Sequence, residues 1–237
     1  VSGILILTAV ELEARALARR LGLPAITLLP FPAFGRGTLR VAPVGLRAGL
    51  LAARWPRLQA GFNRPLVISG GVCGALAPDL SAGDLVLPES VLGPDGERLN
   101  VTPTPHRRAL DLAGSARAGL LATAREVVAT AEAKAALFAR TGALAVDMES
   151  SLILAHAAAA GCPALVVRGV SDTAAEGLPP ELMDLVTPAG KLRPVRALAL
   201  LTRPRVLPRA LALRQATRRA LAAVARLLAA LAASSRP

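Results

Sequence analysis

Residues 142–172 read GALAVDMESSLILAHAAAAGCPALVVRGVSD. GALAVDM predicts a strand, Glu149 to Gly161 a helix, and PALVVRGVSD a continuous apolar strand of the fully buried kind. A strand–helix–strand unit of this type points to an α/β fold. Four charges stand inside it: Asp147, Glu149, Arg168 and Asp172. Apolar surroundings tolerate such groups only when they are paired, exposed or used.

The alternation continues outward. GILILT predicts a strand, and Ala9 to Leu21 a helix with Glu11 and Glu13 in its first turn. TLRVAPVG predicts a strand turning at Gly45, before a helix that stops near Trp55 and Pro56. PLVISGGVCGAL reads as a strand breaking into a glycine-rich turn, and AGDLVLPES as a further strand. Pro94 to Pro105 reads as loop and RAGLLATA as a strand. Thr130 to Arg140 reads as a helix on the spacing Ala131, Lys134, Ala135, Phe138. The expected fold is one three-layer α/β/α domain with a central mixed sheet over 1–190, followed by a helical tail over 191–237. In such folds ligands sit at the carboxyl ends of strands, here Thr8 to Glu13, Ser69 to Gly74, Asp147 to Glu149 and Arg168 to Asp172.

Composition narrows the function. The chain has 237 residues, 53% of them hydrophobic and only 2% aromatic, so stacking platforms for single-stranded nucleic acid are scarce. Its net charge of +12 is uneven: residues 1–190 hold 17 Lys and Arg against 16 Asp and Glu, while 191–237 hold 11 and none. The basicity belongs to the tail, and nucleic acid binding does not follow from it. Two cysteines, Cys73 and Cys162, imply neither a disulfide framework nor a metal cluster. The N-terminal VSGILILTAVELEARAL lacks the flanks of a signal peptide, which favours a reduced, cytoplasmic setting.

Taken in order, TAVELE, GGVCGALAP with AGDLVLPES, AVDMES and VVRGVSD resemble the purine nucleoside phosphorylase and methylthioadenosine nucleosidase superfamily. VATAEAKAALFARTGALAVDMES, LPPELMDLVTPAGKLRP and LTRPRVLPRALALRQATRRAL look most like the hopanoid-associated phosphorylases. The resemblance implies cleavage of an N-glycosidic bond, with positive charge building on ribose and negative charge on the departing base. By that likeness Glu149 takes the ribose hydroxyls and Met148 packs on the sugar, while Asp147 stands where relatives usually carry Glu. Asp172 is the general acid toward the purine imidazole nitrogen, oriented by Ser171. Glu13 matches the carboxylate that polarises water in the hydrolytic members. Gly71, Val72, Arg47 and Arg168 would surround phosphate or another nucleophile, and Arg168, a buried guanidinium that needs an anion, faces either phosphate or Glu13. Val127 and the Val128 backbone would hold the base. Val72 departs from the nucleosidases, whose turn commonly has a hydroxyl there. His106 and His156 carry no motif.

Each residue also has a plainer reading: Glu149 as a helix start, Asp172 as a cap, Glu13 as a first-turn acid, Arg47 as a solvated helix residue. The expected activity is phosphorolysis of adenosylhopane, releasing adenine in hopanoid biosynthesis. Phosphate is then the co-substrate, no metal or organic cofactor is needed, and relatives suggest a homo-oligomer. The rivals are a methylthioadenosine or adenosylhomocysteine hydrolase, and a non-catalytic nucleoside-binding or membrane-scaffold protein.

The tail predicts a helix from Pro208 to about Ala233. Leu213, Leu221, Val224, Leu227, Leu228 and Leu231 fall on one side and Arg214, Arg218, Arg219 and Arg226 on the other, while Arg209 and Leu211 near the start break the pattern. Two readings stand: packing on the body or a second subunit, or lying peripherally on the inner face of a membrane.

Overall fold

The computed structural model describes residues 3–178, 187, 189–191, 193 and 206–234. Most of LPPELMDLVTPAGKLRP and the start of the tail lie outside the described residues. Among the described residues ten strands form one mixed sheet: β1 (Ile4–Thr8), β2 (Phe34–Arg36), β3 (Leu39–Pro43), β4 (Leu66–Ala75), β5 (Leu85–Val86), β6 (Ser90–Leu92), β7 (Arg98–Asn100), β8 (Leu120–Thr123), β9 (Ala145–Asp147) and β10 (Ala164–Asp172). The order is β2-β3-β1-β4-β9-β8-β6-β7, with β10 and then β5 added on the other edge of β4. The helices are α1 (Glu11–Arg20), α2 (Leu51–Gln59), α3 (Pro103–Ala113), α4 (Ala131–Thr141), α5 (Ser150–Ala159) and α6 (Leu207–Ser234), with a short 3-10 turn at Leu46–Ala48.

β4 and β10 form the spine. They run parallel from Ala164 opposite Val67 to Asp172 opposite Gly74, with a register shift between Val170 and Asp172. This overturns the expectation that β4 breaks at its glycines. Pairing with β10 carries the strand through Gly70, Gly71 and Gly74 to Ala75. β1 takes the first half of the opposite edge of β4, and β9 runs antiparallel to its last two residues. That turn-back sets Asp147 and Glu149 beside the end of β4.

Every residue of β10 is buried. Gly169 faces α6, where a Cβ would meet the Ala220 carbonyl oxygen at 2.8 Å, while its neighbour Arg168 reaches Ser150 at the start of α5. Alternate side chains of a strand point to opposite faces, so helices cover both. α6 packs with α1 and α3 in one layer; α5 meets α2 through the Trp55–His156 edge contact in the other.

Three other boundaries differ from the sequence reading. α2 runs through Pro56 to Gln59 because Trp55 and Leu58 are anchored in the core. The segment read as loop holds β7 and the start of α3. Proline is tolerated in a first helical turn, where the N–H has no intrahelical partner, and Pro103 and Pro105 stand there. AGDLVLPES supplies only the two-residue β5 and the first residue of β6.

The tail helix settles its leucines from 221 to 231 inside the protein, while Leu213 is half-buried and Leu211 exposed. Leu221, Val224, Leu227, Leu228 and Leu231 join the main core, and Arg214, Arg218, Arg219 and Arg226 are exposed. An interfacial helix needs that apolar side free for lipid, and between 220 and 231 it is already covered. Among the described residues no helix is long and apolar enough to cross a membrane.

Candidate active site

The carboxyl ends of β1, β4, β9 and β10 surround a cavity of about 250 Å³, lined among others by Glu13, Asp147, Met148, Glu149, Arg168, Ser171 and Asp172. Volume alone does not select it. A cleft of about 540 Å³ between α3 and α6 offers Arg117 and Arg226, both at the surface. Only the smaller cavity gathers buried charge.

Arg168 is its centre and has no exposed surface. Its Nη2 lies 2.7 Å from Asp147 Oδ2 and 4.0 Å from Glu149 Oε2. The same nitrogen donates to Ser69 Oγ at 2.9 Å and Ser150 Oγ at 3.2 Å, and Nη1 donates to the Val72 carbonyl at 3.3 Å. Burial works against the guanidinium charge, but Asp147, Glu149 and Glu13 outweigh it and raise the pKa above its ordinary value.

Asp147, an acid shorter by one methylene than the Glu usual in relatives, is engaged on both sides. Its Oδ1 accepts from Thr123 Oγ1 at 2.9 Å and from the Ser150 amide at 3.3 Å, and its Oδ2 accepts from Ser150 Oγ as well as Arg168. Both oxygens are engaged by protein donors. Although Asp147 lines the cavity, it holds the guanidinium and the start of α5, rather than presenting a free carboxylate to substrate.

Glu13 reaches in from the first turn of α1. Its Oε1 accepts from the Val72 amide at 3.0 Å and its Oε2 from the Val10 amide at 3.3 Å. Gly71 permits this arrangement: at φ +154°, a Cβ would stand 2.7 Å from both Arg168 Nη1 and Glu13 Oε1. Burial raises the Glu13 pKa, against the lowering pull of Arg168 and the amides. Glu149 Oε1 accepts from the Arg47 amide at 3.0 Å. Burial pushes Glu149 up to about 8, Arg168 opposes this, and Asp147 and Glu13 add to the rise.

Arg47 therefore meets the site through its backbone, in a left-handed conformation at φ 53°. The residue is exposed and absent from the cavity lining, so its expected place beside phosphate is not seen. Val72 has no hydroxyl to offer, and its amide is occupied by Glu13. Val127 and Val128 line the cavity together with Leu178, which is tied back to the Ala129 carbonyl at 2.7 Å. His106 and His156 lie outside the lining. Cys73 is inside it, but burial pushes its thiol far up, which keeps it protonated and a poor nucleophile.

At the end of β10, Asp172 meets a partner that sequence reasoning did not assign to the site. Lys134 Nζ on α4 lies 2.5 Å from Asp172 Oδ2, and also donates to the Thr173 and Glu176 carbonyls at 2.7 and 2.8 Å. Ser171 Oγ lies 2.7 Å from Asp172 Oδ1 and 3.1 Å from the Cys73 carbonyl, with one proton to give. Gly74 leaves room for the carboxylate, since a Cβ would approach Oδ2 to 2.9 Å. The signal for Lys134 was its position on the inward stripe of α4, where a lone cation needs an anion.

The model of the phosphorylase superfamily matches residues 56–192. The chain belongs to the phosphorylase superfamily. A futalosine hydrolase of Streptomyces coelicolor is 33% identical over 226 residues, covering 81% of this superfamily member and 95% of that enzyme. In fold it is similar to the 5'-methylthioadenosine/S-adenosylhomocysteine nucleosidase of Neisseria meningitidis in complex with methylthio-immucillin-A. That likeness has a TM-score of 0.73 and 19% identity, over 99% of this chain and 100% of the other. It is equally similar to the futalosine hydrolase of Helicobacter pylori, with a TM-score of 0.73 and 19% identity over 99% and 98% of the two chains.

Proposed function

We propose that this protein hydrolyses the N-glycosidic bond of a purine nucleoside, with water as the nucleophile. The observation that carries the reading is Glu13: a buried carboxylate of raised pKa, aimed by two backbone amides at a cavity rich in acids. A base of raised pKa takes a proton from water more readily. Water attacks the anomeric carbon while its proton passes to Glu13. The bond to the base nitrogen breaks, and Asp172 protonates the purine so that it leaves neutral. Glu149 accepts from the ribose hydroxyls and favours the developing sugar cation, with Met148 against the ring. Val127, Val128 and Leu178 pack on the base.

Phosphate fits this cavity poorly. Arg168 is enclosed by three carboxylates, the Val72 amide is taken, and the Arg47 residue is exposed outside it. The cation that phosphate would need is already paired with Asp147 at 2.7 Å. This favours hydrolysis over the phosphorolysis of adenosylhopane that the sequence suggested. Futalosine is the first substrate to try, because the enzyme sharing 33% identity acts on it by name, and methylthioadenosine is the second.

The test is base release from futalosine, methylthioadenosine and adenosylhopane, each with and without phosphate. The expected result is free sugar at a rate indifferent to phosphate. Strict phosphate dependence with a sugar 1-phosphate product overturns the choice of nucleophile.

A further inference from the structure

We propose that Lys134 is a positioning residue for the leaving-group acid, fixing the Asp172 carboxyl and stabilising the carboxylate that remains once its proton has passed to the base. The inference rests on the reading of Asp172 as that acid and extends it to a residue on α4.

Lys134 belongs to α4, yet its ammonium ends at β10. All three of its N–H donors are accounted for: Asp172 Oδ2 at 2.5 Å, the Thr173 carbonyl at 2.7 Å and the Glu176 carbonyl at 2.8 Å. The side chain has no exposed surface and does not line the cavity, so it acts through Asp172 rather than on substrate. Lys134 holds Oδ2, and Ser171 Oγ, whose own proton can go to the Cys73 carbonyl, lies beside Oδ1, where the acidic proton sits, so the carboxyl has one orientation to offer. A group fixed in this way spares the reaction the cost of orienting it. When the carboxyl gives up its proton, the new negative charge forms 2.5 Å from an ammonium already in place. Preorganised charge of that kind is worth most in a buried site. The two carbonyl contacts extend the hold to residues 173–176, just before Leu178, which lines the same cavity.

A lysine that only supports the fold makes a different prediction, so the test is a double-mutant cycle. Lys134→Met keeps the unbranched side chain to within one atom of its length and removes the charge. Its kcat should fall about 10²-fold, at the lower end of general-acid effects, with KM within about threefold of wild type. In an Asp172→Asn background, Lys134→Met should change kcat by less than about threefold, because the group it serves is gone. Should the single variant fail to fold, the Lys134→Met/Asp172→Asn pair, which buries no lone charge, can be compared with Asp172→Asn alone. Independent losses that multiply in the double variant overturn the proposal, as does a single variant with near-normal kcat. If wild-type protein releases base from no nucleoside, the hydrolase reading fails first and this one with it. If wild type is active and the cycle is additive, only the role of Lys134 is lost.

Discussion

Among the described residues two cations are buried, and their surroundings differ in balance. Lys134 faces one acid, Asp172, and two carbonyls. Arg168 has Asp147 in contact and Glu149 and Glu13 near by, three acids around one guanidinium. A matched pair can simply hold structure in place. A surplus of buried acids is costly at rest, and its surplus members, Glu13 and Glu149, are the ones whose protons are held more tightly than usual. Hydroxyl donors and a sugar cation would relieve that surplus, so the imbalance points to the ligand.

Arg168→Met would break the comparison most severely. It leaves three carboxylates without their cation, and breaking such a buried set costs about 3–5 kcal/mol. Urea unfolding should show a midpoint far below wild type, together with loss of activity. A variant of wild-type stability would mean that the acids are held protonated without help from Arg168. Asp172→Asn acts on the other cluster. Turnover should fall about 10²–10⁴-fold while circular dichroism remains native, and near-normal turnover would remove Asp172 from its role.

Glu149→Gln sharpens the contrast through pH. The folded protein holds the Glu149 proton up to about 8, whereas the unfolded chain releases it in the ordinary carboxylate range. The stability contributed by that proton is complete below the unfolded value and is withdrawn as pH rises through about 8. Glutamine mimics the protonated form, so the variant should match wild type near pH 5 and exceed it near pH 8.5 by about 2–4 kcal/mol. Its catalytic rate should fall most at pH 8.5, where the wild type carries the carboxylate. A constant difference across that range would show that Glu149 ionises normally. The smallest effect is expected from Thr123→Val, which removes the hydroxyl linking Asp147 Oδ1 to the Ser151 amide. About 1–2 kcal/mol of stability should be lost, with kcat changed less than about threefold, because Asp147 keeps Arg168 and Ser150.

Much of this was legible in the sequence because apolar runs ending in charge are hard to misread. β1, β9 and β10 fall where GILILT, GALAVDM and PALVVRGVSD place them. β4 was misread because glycines break isolated strands, and only the long pairing with β10 shows why these do not. α3 was hidden by Pro103 and Pro105, which mark loops in one context and first turns in another. At the site, a buried Arg168 announced that an anion must be near. Which anion depended on β9 turning back along β4, a non-local fact. Lys134 was visible as part of a helical stripe, but periodicity counts positions and not charges, and its partner lies 38 residues away.

The contact between Gly169 and Ala220 has a consequence for the order in which the molecule is made. β10 carries Arg168, Ser171 and Asp172, and the α6 residues that cover its other face lie some fifty positions further along the chain. At about 5–20 residues per second, a nascent chain waits several seconds between completing the strand and receiving its cover. During that interval the longest apolar strand partnership in the sheet has one face open. The late helix is thus a timing element, and a chain stopped before residue 220 should be a substrate for chaperones before it is one for folding.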